Sequence, residues 1–304
     1  MKKEYYRIVV LSDIHLPGRN FPKKKKAIAD INAWPDTDLV VVTGDILSLG
    51  GDAGQYVLAK QFFGKLTKPV CFIGGNHDYI YPDSYPINPA TGHHLKEPSP
   101  ENREKKLVHF KKVWGLQELF YSRRMGDYLL VFLSPDDLIS INYAQMTDRQ
   151  LRWLHTVLKE NEQVPTIIFF HAPLVGTLCS VKITRSKSPE SQYAEPAERI
   201  RGILMQNPQV FLWVSGHVHF APTNKDFKSD QNVYEGQVTA IHNPDMDGSS
   251  TLSHEDLKGT EHDELWTNSL FLYQDRVIVR TYDHTRDYWM SDLDRVVFPG
   301  RIGG

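Results

Sequence analysis

Five short polar groups carry the residue types from which a metal centre is built: Asp13-x-His15, Gly44-Asp45, Asn76-His77-Asp78, His171 and His217-x-His219. Each follows an apolar run. Setting His77 aside, they offer aspartates, imidazoles and the Asn76 amide, a mixture of nitrogen and oxygen donors. Such a set suits first-row ions (Mn, Fe, Co, Zn or Ni) better than Ca, which prefers oxygen alone. On extended backbone, residues two apart point to one face, so Asp13 with His15, and His217 with His219, are each expected to grip an ion together. Any one group alone has a bland reading. Asn76 suits a left-handed turn, and a lone histidine at a strand end is commonly structural. Five in order, each at the end of a buried strand, outweigh that.

The apolar runs Ile8 to Leu11, Leu39 to Val42, Val70 to Ile73, Thr166 to Phe170 and Val210 to Val214 read as buried strands. Helical patterns at about 22–34 and 55–66 separate the first three, which gives a βαβαβ order and a mainly parallel core. Open α/β sheets place their sites at the carboxyl ends of strands, where these polar groups lie. Further helices are expected from Asn102 to Trp114, from a Thr147 cap through Gln150-Leu151-Arg152-Trp153-Leu154, and from Ala197 to Gln206. Tyr128 to Leu133 reads as another strand. Later strands are expected at 238–241, 269–273 and 276–282, the last two joined by a tight turn at Gln274-Asp275. The chain is read as one domain over 1–304.

The set of motifs resembles the calcineurin-like metallophosphoesterase family. All five of its motifs are present in order within residues 7–220, and the helix at Gln150 to Leu154 is also similar. The resemblance implies an α/β fold with two sheets packed as a sandwich and flanked by helices on both sides. The strands at about 233–285 would belong to the second sheet. It also implies two first-row metal ions, one held by Asp13, His15, Asp45 and His219. The other would be held by Asp45, Asn76, His171 and His217, with Asp45 bridging. In this family His77 would contact the scissile phosphate and Asp78 would orient its ring. The implied reaction is hydrolysis of a phosphate mono- or diester by hydroxide formed between the two ions, in line with the leaving group.

Composition bounds the rest. A net charge of -2 gives no general attraction to nucleic acid or anionic membrane, which disfavours a nuclease of the same fold. A Ser/Thr protein phosphatase finds no positive sign in the loops. A non-catalytic binding scaffold should have lost ligands, and here none is missing. Cys71 and Cys179 are expected as buried free thiols, and no leader or membrane span is read at the N-terminus, so a cytoplasmic protein is expected. Lys23 to Lys26 reads as a solvated helix face. His93-His94 has no carboxylate spaced for a third site. Two long loops, about 80–100 and 176–195, are the expected seat of specificity. The second leaves the His171 strand and brings Lys182, Arg185 and Lys187, of which Arg185 is the candidate for binding substrate phosphate.

Overall fold

The computed structural model describes residues 3–48, 50–51, 53–81, 99–140, 142–177, 192–229, 232–250 and 260–300. His93, His94, Cys179, Lys182, Arg185 and Lys187 lie outside these residues.

The first half runs β1 (Tyr6–Leu11), α1 (Phe21–Ala33), β2 (Thr37–Thr43), α2 (Ala53–Phe63), β3 (Val70–Ile73), α3 (Asn76–Tyr79) and α4 (Pro100–Trp114). The middle adds β4 (Tyr121–Met125), β5 (Tyr128–Phe132), α5 (Asp148–Lys159), β6 (Thr166–Phe169), α6 (Ala197–Met205) and β7 (Val210–Ser215). The last part contributes β8 (Val233–Tyr234), β9 (Val238–His242), β10 (Ser249–Ser250) and β11 (Thr260–Glu261). It ends with β12 (Trp266–Leu272), β13 (Val277–Asp283), β14 (Tyr288–Trp289) and β15 (Arg295–Val297).

Two large sheets result. One has the order β14-β13-β12-β1-β2-β3, with β15 also on β13; the other has the order β4-β5-β6-β7-β9-β8. β1, β2 and β3 are parallel to one another, as are β5, β6, β7 and β9. The expected placement of all the late strands in the second sheet is corrected here. Only β8 and β9 join it, whereas β12 pairs antiparallel with β1 and carries β13 into the first sheet.

Burial follows the two-residue period of a strand. Ile8, Val10, Leu39, Val41, Cys71 and Ile73 face the other sheet and pack with Leu130, Phe132, Ile167, Phe169, Leu212 and Val214. Their neighbours Val9, Leu11, Val40 and Val42 pack with Ile28, Ile31, Tyr56 and Phe62 of α1 and α2. Strands buried on both faces therefore read as unbroken apolar runs. The two sheets and their flanking helices agree with the expected class.

α5 is capped as expected, Thr147 accepting from the Gln150 amide. Gln150 is itself buried and exchanges hydrogen bonds with the Ser134 backbone, while Ser134 Oγ accepts from Gly74 N. The helix thus braces the turn that opens α3. Lys24 departs from the solvated face read for α1: it is fully buried, with Nζ 2.9 Å from Asp247 Oδ1. Among the described residues no helix is long and apolar enough to cross a membrane.

Candidate metal centre

The strand ends bring all five motifs to one rim between the sheets, but not on extended backbone. Asp13, His15, Asp45, His217 and His219 all have positive φ, between 46° and 70°. A left-handed conformation is uncommon for residues with a Cβ, and such outliers gather at functional sites where the surroundings impose them. The two-residue spacing therefore works through coiled backbone after β1 and β7, not through the pleat that the spacing suggested.

Two nests form. In the first, Asp13, His15 and His219 bring ligand atoms together; in the second, Asp45, His171 and His217 do so. His171 Nε2 lies 3.2 Å from Asp45 Oδ2, 3.0 Å from Asn76 Oδ1 and 3.1 Å from His217 Nδ1. In the first nest, His219 Nε2 is 3.4 Å from Asp13 Oδ1 and 3.1 Å from His15 Nε2. Asp45 Oδ2 stands between the two, 3.9 Å from His15 Nε2.

Close packing makes this approach possible. A Cβ on Gly75 would lie 2.3 Å from Asp45 Oδ1, and one on Gly216 would lie 2.2 Å from Asp13 Oδ2. The glycine before Asn76 thus makes room for the Asp45 carboxylate.

The donor set fits cations. Nδ1 of His15 faces the Leu47 carbonyl at 3.3 Å, and Nδ1 of His219 faces the Ser249 carbonyl at 2.9 Å. Each Nδ1 therefore carries the hydrogen, and the two Nε2 lone pairs point at one another. His171 is fixed likewise, with Nδ1 2.8 Å from the Thr43 carbonyl. Lone pairs and carboxylate oxygens converging at about 3 Å repel one another unless positive charge lies among them.

The electrostatics agree. Burial pushes the Asp13 carboxyl up and the His15 imidazole well down. Burial also opposes ionisation of Asp45, but the imidazoles of His171, His77 and His15 outweigh it and hold that carboxyl well below its usual range. At His171, burial is outweighed by Asp45 and Asp13, which raise it to about 9.

Asn76–Tyr79 is a short helix, not extended backbone, so His77 does not alternate away from Asn76. A ring nitrogen of His77 lies within ligand reach of His15 and Asp45. Its Nδ1 is 3.3 Å from the Ser48 carbonyl, and its ring stands edge-on to His15 and to Tyr81, each 4.6 Å away. Nor does Asp78 orient that ring. Its oxygens accept from the backbone amides of Ile46, Leu47 and Gly75, fixing the turn after Asp45. Buried beside Asp45, its carboxyl is raised to about 7.

The sequence reading missed Asp245, which is fully buried beside the first nest. Its Oδ1 accepts from the amides of Asp247, Gly248 and Ser249. The available signal was Asp245-x-Asp247-Gly248-Ser249 following an apolar strand, a turn-forming sequence with no histidine to draw the eye.

The model of the family described as calcineurin-like phosphoesterase matches residues 6–221. The chain is 27% identical over 237 residues to the uncharacterized protein YvnB of Bacillus subtilis, covering 75% of this chain and 16% of that protein. It is 22% identical to the 3′,5′-cyclic adenosine monophosphate phosphodiesterase CpdA of Haemophilus influenzae, over 66% of this chain and 60% of that protein. The chain thus spans less than two thirds of either relative. Among solved structures, a dimetal phosphatase from Danio rerio superposes with a TM-score of 0.61 at 13% identity, covering 98% and 100% of the two chains, a likeness of fold. The family match spans every motif from Asp13 to His219 and most of the chain, so the chain belongs to the calcineurin-like phosphoesterase family.

Proposed function

We propose that this chain is a dinuclear-metal hydrolase of phosphate esters, working as one domain over 1–304, with diesters the favoured class. The observation that carries the reading is the convergence of two nests of imidazole nitrogens and carboxylate oxygens on the shared Asp45 carboxylate. Asp13, His15, Asp45 and His219 would hold one ion; Asp45, Asn76, His171 and His217 would hold the other. Bound there, the pair would offset phosphate charge and supply a nucleophile at neutral pH. The name of the cyclic-nucleotide phosphodiesterase among the relatives supports the diester preference.

The remaining chemistry falls to the protein. The Asp45 carboxylate is held in place by the His77 amide, which donates to Oδ1 at 2.8 Å. Both Asp13 oxygens accept from the His217 amide at 3.0 Å, which ties the first nest to the loop carrying the second. His77, with Nδ1 turned to Ser48, has Nε2 as the group that donates a proton to the leaving oxygen. Burial lowers its basicity, and the negative charge of a bound phosphate raises it again.

The test is metal removal. The stripped chain should not hydrolyse bis-p-nitrophenyl phosphate and should recover turnover with Mn²⁺. Full activity after confirmed metal loss would sink the reading.

A further inference from the structure

The segment from Asn243 to Ser250 follows β9 and lies beyond the span that the family match covers. It touches every loop that carries the first nest. Asn243 donates through both its backbone N and its Nδ2 to the Ser215 carbonyl at 2.7 Å, two residues before His217. Its Oδ1 accepts from Asn268 Nδ2 at 3.0 Å, which ties this end to β12 of the other sheet. The Met246 amide lies 3.2 Å from the carbonyls of both Ser12 and Asp13. Asp247 Oδ1 accepts from the Arg19 amide at 2.8 Å and from buried Lys24 at 2.9 Å, so it grips the loop after His15. The Ser249 carbonyl takes the His219 Nδ1 hydrogen.

Asp245 organises this turn from inside. One oxygen gathers three amides, and the other accepts from Ser250 Oγ, which in turn lies 2.8 Å from His262 Nε2. Without that carboxylate, the buried Gly248 N–H and the half-buried N–H groups of Asp247 and Ser249 would lack an acceptor, and the turn that presents the Ser249 carbonyl would have no reason to close.

We propose that Asn243–Ser250, centred on Asp245, is the positioning element for the Asp13–His15–His219 nest: it fixes the His219 tautomer and ring plane, and it locks the Asp13 and His15 loops against each other. The inference rests on the reading of that nest as a metal site. The second nest is supported by the Thr43 carbonyl and the His77 amide. Its link to this segment, from Asn243 to Ser215, does not use the Asp245 carboxylate, so the effect of losing that carboxylate should be confined to one site. Partners that orient a ligating histidine are worth about 10–100-fold in metal affinity.

The experiment titrates the metal-stripped full chain with Mn²⁺ and counts bound ions per chain by equilibrium dialysis, with circular dichroism as the check on folding. The parent should bind two ions. Asp245→Ala should weaken one of them by about 10–100-fold and leave the other unchanged. Ser250→Ala removes only a hydroxyl and should act in the same direction, more weakly; it decides the matter if Asp245→Ala does not fold. His219→Ala combined with Asp245→Ala should lose less at that site than the two single losses together, since part of the Asp245 effect acts through the His219 ring. Two unchanged sites in the folded variants, or equal weakening at both, would overturn the proposal. A parent that binds fewer than two ions would instead overturn the dinuclear reading, and the positioning role with it.

Discussion

The two nests meet at Asp45 yet are built differently. The second hangs directly from strand ends: the His171 ring is fixed by Thr43, the last residue of β2, and the His171 carbonyl accepts from Gly216 N just past β7. The first depends on coil. Asp13, His15 and His219 all sit on left-handed backbone, whereas in the second nest Asp45 and His217 do but His171 and Asn76 do not. The segment that ties the first nest together arrives more than twenty residues after His219. Parallel strands with both faces buried are the stiffest frame in this fold, and loops are the softer one. The second nest should therefore tolerate damage at a distance better than the first.

The shared carboxylate is where the contrast should vanish. Asp45→Asn removes the charge that faces both His15 and His171, so both ions should go and kcat/KM should fall on the order of 10³-fold or more. Asp13→Asn touches one nest and should leave one ion in place. Elemental analysis of the two variants checks this, and two ions retained without the Asp45 carboxylate would contradict its bridging position.

His77 sits where the two nests meet, its amide on Asp45 and its ring against His15. If its ring serves the leaving group, His77→Ala should keep both ions and lose about 10²–10⁴-fold in rate. That loss should be larger for an alkyl ester than for p-nitrophenolate, which departs without a proton. Loss of the ion held by Asp13, His15 and His219, at equal cost to both esters, would make His77 a ligand of that nest instead.

The same contrast explains what was legible. The second nest could be read because an apolar run that ends abruptly in Gly44-Asp45, Gly75-Asn76 or His171 reports both the strand and the side chain it delivers. Asp13-x-His15 and His217-x-His219 were found by the same rule, although the reason given for their spacing was wrong. Nothing in a residue type declares φ near +50° for an aspartate or histidine, because tertiary contacts impose it. Asp245 was missed for a related cause: most of its partners are backbone amides, which every sequence has. β4 went unread because Tyr121-Ser122-Arg123-Arg124-Met125 is an edge strand with charged residues, as edges commonly have. The late strands were seen, but the partner of β12 is a matter of topology, and a hairpin at Gln274-Asp275 fits either sheet.

The smallest expected effect concerns pH and the root of the positioning segment. His242 closes β9 immediately before Asn243, and it is buried with Nε2 3.2 Å from the Thr177 carbonyl. Its Nδ1 has no partner among the described residues, and burial lowers its pKa to about 4. The folded state thus excludes a proton that the unfolded chain binds near pH 6.5. Linkage then sets the sign: stability from this residue is intact above about pH 6.5, drains as pH falls towards 4, and changes no further below that. Between pH 7.5 and 5 the loss should be about 2 kcal/mol. Gln at 242 keeps a donor for Thr177 but cannot take up a proton, so His242→Gln should flatten this part of the stability profile. Urea unfolding of both proteins at the two pH values reads the difference. A slope unchanged by the substitution would move the acid sensitivity to the carboxylates around the nests, and would leave the base of the positioning segment indifferent to pH.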